Sequence, residues 1–143
     1  MRNKKGFTLM ELVIVLAILA IIAAILIPTF MRTTDRARLR SDIQSAQVIH
    51  NAMELYRAER GRTVESGITG STVTMDAILD ALYRAGYLSE MEANDTQTAN
   101  AVFVIYDGRV RVDISNASAD VRAMENDLSQ HERNFIRNTN PTP

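Results

Sequence analysis

Between Leu12 and Met31 the chain carries no charged side chain, and this stretch limits the fold more tightly than any other. From Phe7 to Ile27 there are 21 residues, which as a helix would span roughly 30 Å, the thickness of a bilayer's hydrocarbon core. In a chain of 143 residues this leaves room for one small domain besides the apolar segment. A single acid, Glu11, stands at the head of the run, five residues after Gly6. A carboxylate in a membrane helix costs about 2 to 3 kcal/mol at the centre and less near the interface, and the usual reason to keep one is a partner. The alternative is a position among the lipid headgroups, where one charge is tolerated.

Arg2, Lys4 and Lys5 precede the run, as in a secretory signal peptide. Such a signal needs a shorter apolar core and small residues at both −3 and −1 of a cleavage site, and no A-x-A occurs near Ala17, Ala20, Ala23 or Ala24. Cutting after Gly6 would instead create an α-amino group on Phe7, a cation in the same layer as Glu11. Charge alone leaves the orientation open, because Arg32, Arg36, Arg38 and Arg40 follow the segment while three cations precede it.

Gly6-Phe7-Thr8-Leu9-Met10-Glu11, followed by about twenty apolar residues, resembles the class III signal of type IV pilins and of the pseudopilins of type II secretion and competence systems. The resemblance implies that a membrane-embedded prepilin peptidase cuts between Gly6 and Phe7 on the cytoplasmic side and N-methylates Phe7. It implies that Glu11 attracts the amino terminus of a neighbouring subunit during assembly, and that Pro28 marks a helix kink at the end of the apolar run. It also implies an N-terminus inside, with the remainder first in the periplasm or outside the cell and then in a filament. The partners implied are the peptidase/N-methyltransferase, an inner-membrane assembly platform and further copies of the chain. No cofactor is implied.

Beyond the apolar run the helical pattern continues, with Leu39, Ile43, Ala46, Ile49, Met53 and Tyr56 at intervals of three and four. Arg36, Arg38, Arg40 and Asp42 read as a solvated face or headgroup contacts. Gly61 ends the helix, and "GRTVESGITGST" reads as a surface loop. Met75, Ile78, Leu79, Leu82 and Tyr83 predict a second helix with Thr74 as N-cap, Asp76 at the positive end of its dipole and Gly86 at C′. A short helix and "AGYL" after a long helix resemble the major pseudopilin and competence branch more than the long adhesive pilins.

"VFVIYDGRVRVDI" predicts a hairpin with a two-residue Asp107-Gly108 turn. Its register sets Ile105 against Val110 and Phe103 against Val112 on an apolar face that covers the outer half of the long helix. Val121, Met124, Leu128, His131 and Phe135 predict a third helix, with Ser118 as N-cap, and "NTNPTP" reads as a disordered tail. The expected fold is α+β and type IV pilin-like. The expected organisation is a leader at 1–6, a membrane or filament-core helix at 7–30, a soluble domain at 31–137 and a tail at 138–143.

The net charge of −1 supplies no field to draw the chain to nucleic acid. Loss of the three cations before Gly6 would take it to −4. With no cysteine, disulfides, thiolate metal sites and cysteine nucleophiles are excluded; the C-terminal disulfide loop of many Gram-negative pilins is absent with them. His50 and His131 have no second His or Cys at ligand spacing, and no catalytic motif occurs. Asp107 and Asp113 could contribute to a calcium site, but a hairpin turn already accounts for Asp-Gly. Asn116-Ala117-Ser118 matches a glycosylation sequon and reads instead as a turn entering a helix. The expected function is a structural subunit of a type IV pilus-like filament. The alternatives are a pseudopilin of a secretion or DNA-uptake system, and a membrane anchor that presents a small binding domain without assembling.

Overall fold

The computed structural model describes residues 8–68, 73–89 and 95–139. Its first element, α1, is a helix over Leu9–Arg60 that passes without a break through Pro28. The chain divides into two compact units, Met1–Thr34 and Asp35–Pro143. The described residues of the first unit, 8–34, hold the apolar part of α1, and their side chains are exposed except for the half-buried Thr34.

The second unit is an α+β domain. Within it α1 buries Leu39, Ile43, Ala46, Ile49, Ala52, Met53 and Tyr56, so the three- and four-residue spacing does set the core face. Arg57 and Arg60 lie in the last turn, where cations favour the negative end of the helix dipole. The helix stops at Gly61, whose φ of +66° is a conformation that side chains with a Cβ rarely adopt; its N–H bonds the Arg57 carbonyl at 2.9 Å. After a 3₁₀ turn at Glu65–Gly67 comes α2, Met75–Arg84. The Thr74 hydroxyl accepts from the Ala77 N–H at α2's start. At its end Gly86 takes φ +81°, with its N–H on Tyr83 O and the Tyr87 N–H on Leu82 O. This pair of bonds is a Schellman motif.

Strands β1, Val102–Tyr106, and β2, Arg109–Asp113, pair antiparallel with Ile105 opposite Val110 and Phe103 opposite Val112, as the sequence predicts. Asp107 (φ 54°) and Gly108 (φ 68°) both occupy the left-handed region, the requirement of a type I′ turn. Phe103, Val110 and Val112 are buried in one cluster with the α1 and α2 core residues.

The C-terminal stretch departs from expectation. In place of one helix it forms α3, Ala119–Ala123, a 3₁₀ turn over Met124–Asp127, α4, Gln130–Arg133, and a short strand β3, Ile136–Arg137. Ser118 does cap α3, its hydroxyl accepting from the Val121 N–H at 3.3 Å. The break falls at Leu128-Ser129 because Ser129 starts a new helix with a full capping box: its hydroxyl accepts from the Glu132 N–H while Glu132 accepts from the Ser129 N–H. Val121, Met124, Leu128 and Phe135 are still buried, whereas His131 is exposed. The strand β3 pairs parallel with β2, giving a sheet of order β1-β2-β3. Asn138 and Thr139, placed in a disordered tail by their composition, bond Glu125 and Ser115; residues 140–143 lie outside the described residues.

Candidate assembly segment

The first described residues form a second capping box. Thr8 precedes α1, its hydroxyl accepts from the Glu11 N–H at 3.2 Å, and the Glu11 carboxylate accepts from the Thr8 N–H at 3.0 Å and from the Thr8 hydroxyl at 3.1 Å. A helix leaves its first N–H groups without intrahelical partners, and this box satisfies two of them beside the positive end of the dipole. Within one chain, then, Glu11 is already engaged with its own helix start. Sequence reasoning assigned it to a neighbour and overlooked Thr8, although Thr-x-x-Glu ahead of an apolar run is the signature. Gly6 and Phe7, the expected processing residues, lie outside the described residues.

From Leu9 to Met31 the large apolar side chains are exposed, Leu9 at 80% and Phe30 at 73%. A helix cannot leave such a surface in water without cost; lipid or other helices must cover it. Pro28 cannot donate a backbone hydrogen bond. Around it Thr29, Thr33 and Thr34 turn their hydroxyls back onto the carbonyls of Ile25, Thr29 and Phe30 at 3.3, 3.0 and 3.0 Å. Such bonding hides the polar hydroxyls within the helix's own backbone.

The charged residues after this segment do not all face solvent. Asp42 is buried and accepts from the Gln97 and Thr98 N–H groups, both at 2.8 Å, so its reading as a solvated or headgroup charge is corrected. Two backbone donors that precede β1 need an acceptor there, and one carboxylate serves both. Arg36 pairs with Asp127, and Arg40 with Glu132 at 3.6 Å, which ties α1 to the C-terminal stretch within the domain. Arg38 pairs along the helix with Asp35.

Among the described residues no group of three or more His, Asp and Glu side chains gathers at metal-binding distance. His50 and His131 stand edge-on to the same Phe135 ring, at 5.9 and 5.6 Å. Asp107 lies in the turn, and Asp113 bonds the Ser115 N–H and Arg137, each at 2.9 Å. Burial alone would raise the Asp113 carboxyl; the bonds from Ser115 and the Arg137 charge outweigh it and hold the group below the usual carboxylate range. The Glu132 carboxyl is also low, held by the Ser129 side chain and backbone.

The apolar segment of α1, headed by a capped acid, is long and apolar enough to cross a membrane or to pack against other helices. Residues 1–27 match the family model of the prokaryotic N-terminal methylation motif. The chain is 40% identical over 74 residues to prepilin peptidase-dependent protein A of Clostridium perfringens, covering 51% of each chain. It is 30% identical over 69 residues to type II secretion system core protein G of Aeromonas hydrophila, covering 47% of this chain and 48% of that one. A shorter match, 62% over 37 residues, is to the type IV wide pilus major component PilA4 of Thermus thermophilus, covering 26% and 28%. Residues 1–27 thus carry the prepilin-type methylation motif, and the N-terminal half of the chain is similar to type IV pilins and type II secretion pseudopilins. It spans about half the length of the first curated relatives it matches. No solved structure matches it significantly.

Proposed function

We propose that this chain is the prepilin of a type IV pilus-like filament: a structural subunit, without a catalytic role, held together with its copies by the N-terminal half of α1. The observation that carries the reading is the exposed apolar surface of Leu9–Met31 with one acid, Glu11, at its head. A prepilin peptidase/N-methyltransferase cuts after Gly6 and methylates Phe7. The chain then waits in the inner membrane as a single span, N-terminus in the cytoplasm, until an assembly platform draws it into the filament outside.

Side-by-side packing of Leu12, Val13, Ile14, Leu16, Ile18 and Leu19 supplies most of the cohesion, since in an apolar medium close packing rather than water release joins helices. Glu11 supplies register. Its carboxylate is neutralised by the amino terminus of a neighbour when water leaves, because an unpaired ion in that layer is costly. The bond from Thr8 holds the carboxylate at the helix start until then. Pro28 frees one carbonyl and lets the helix bend at the outer interface.

Glu11→Ala is expected to leave cleavage and membrane insertion intact and to reduce incorporation into sheared filaments. Filaments of normal yield from that variant would refute the assembly role. The relatives named type II secretion core protein G, together with the cysteine-free domain, support a second reading in which the filament is a short pseudopilus serving secretion or competence. Recovery of long surface filaments separates the pilus from the pseudopilus.

A further inference from the structure

The sheet of the domain ends on a bare strand. In the order β1-β2-β3, β1 pairs on one side alone. The two-residue turn makes Tyr106 and Arg109 the pair that closes the ladder, so Val102, Val104 and Tyr106 exchange hydrogen bonds with β2, while Phe103 and Ile105 turn their N–H and C=O groups outward. The same alternation shows on β2, where Val112, opposite Phe103, sends its N–H to the Phe135 carbonyl at 2.8 Å on the other side. Among the described residues no hydrogen bond reaches the outward groups of Phe103 and Ile105. Edge strands are ordinarily blunted by a lysine, a proline or a bulge. Val102–Tyr106 has none of these and carries no charge. An open groove of about 400 Å³ lies against this edge, lined by Phe103, Val104 and Ile105 of β1 and by Glu65, Met75 and Ile78. Glu65 is the charged residue of that lining, and its carboxylate has no hydrogen bond or ion pair among the described residues.

We propose that this edge and groove bind an extended segment of a partner protein, which adds to β1 as a further strand, with apolar side chains at alternate positions and an arginine or lysine for Glu65. Each observation fixes one feature of the segment. The outward N–H and C=O groups of Phe103 and Ile105 are met in register by an extended backbone. The apolar lining takes every second side chain, because successive side chains of a strand point to opposite faces. The unpartnered Glu65 carboxylate is complementary to a cation, and a charge-assisted bond there selects among apolar segments. The β1 strand of a second copy is the poorer occupant. It holds no cation for Glu65, and its flanking residues Ala101 and Asp107 add none. The site shares no residue with Leu9–Met31, so it does not depend on the filament reading.

The test is a selection on the full-length chain in detergent micelles, using a displayed library of random peptides about as long as an ordinary strand. Enriched peptides are expected to alternate apolar with other residues and to carry an arginine or lysine. A synthetic copy of one such peptide is expected to slow amide exchange at Phe103 and Ile105. Glu65→Gln is expected to weaken its binding about tenfold. Unchanged amide protection at Val112 in that variant shows that the sheet is intact, since the Val112 N–H is bonded to Phe135. No enrichment over empty micelles overturns the proposal, as does a bound peptide that leaves exchange at Phe103 and Ile105 unaltered. Equal binding to the chain and to its Glu65→Gln variant overturns the recognition of a cation. Exchange at Phe103 and Ile105 that slows with protein concentration alone, without peptide, assigns the edge to a second copy and overturns the partner segment.

Discussion

Glu11 and Asp42 show how much one carboxylate's surroundings decide. Both lie within α1, and both accept backbone N–H groups, yet one is exposed at the start of the helix and the other is buried. Asp42→Ala would leave the Gln97 and Thr98 N–H groups without an acceptor inside the domain. The expected loss is roughly 3 kcal/mol, since hydrogen bonds to an ion and the penalty for orphaned donors add; urea unfolding of the detergent-solubilised chain measures it. At Glu11 the proposed assembly sets the helix start and a neighbour's amine in competition for one group. Thr8→Val removes the hydroxyl that anchors the box and is expected to weaken the first turn of α1 by about 1 kcal/mol, read as faster amide exchange at residues 9–12 with the chain still in the membrane. The Thr8 cap was legible as Thr-x-x-Glu, whereas nothing near Asp42 in sequence marks it: its partners stand 55 and 56 residues away.

Elements whose ends carry local signals could be read from sequence with their boundaries. Thr74 and Gly86 bracket α2, and Asp107-Gly108 fixes the register of β1 against β2, because each device acts within a few residues. The C-terminal stretch could not. Its apolar spacing fits one helix, and those apolar residues, His131 apart, are buried, but the Ser129 capping box restarts the chain and β3 gains its partners from β2, 24 residues earlier. A parallel strand of two residues has no periodicity to detect. Its attachment depends on pH. Asp113 and Glu132 both titrate below their ordinary values in the folded chain. The unfolded chain therefore binds protons more readily, and the stability these groups contribute is present above the ordinary carboxylate range and is lost as pH falls through their lowered values. Amide protection at Ile136 and Arg137 is expected to drop as pH falls below the ordinary carboxylate range, and Glu132→Gln should flatten part of that drop. Glu132 is only partly buried, so solvent screening keeps its share small.

Taken whole, the described residues leave one extended apolar surface uncovered in a lone copy in water, Leu9–Met31. It was evident from composition, because twenty residues without charge admit few environments. The domain itself closes one core from α1, α2 and the sheet, and the proposed function places the contacts between copies on Leu9–Met31. Removal of residues 1–6 separates a processed prepilin from an uncut membrane anchor. Intact mass and N-terminal sequencing of the protein recovered from its own cells read this directly. The predicted result is a chain beginning at N-methylated Phe7; a chain still carrying Met1 to Gly6 in a cell with an active prepilin peptidase would contradict it.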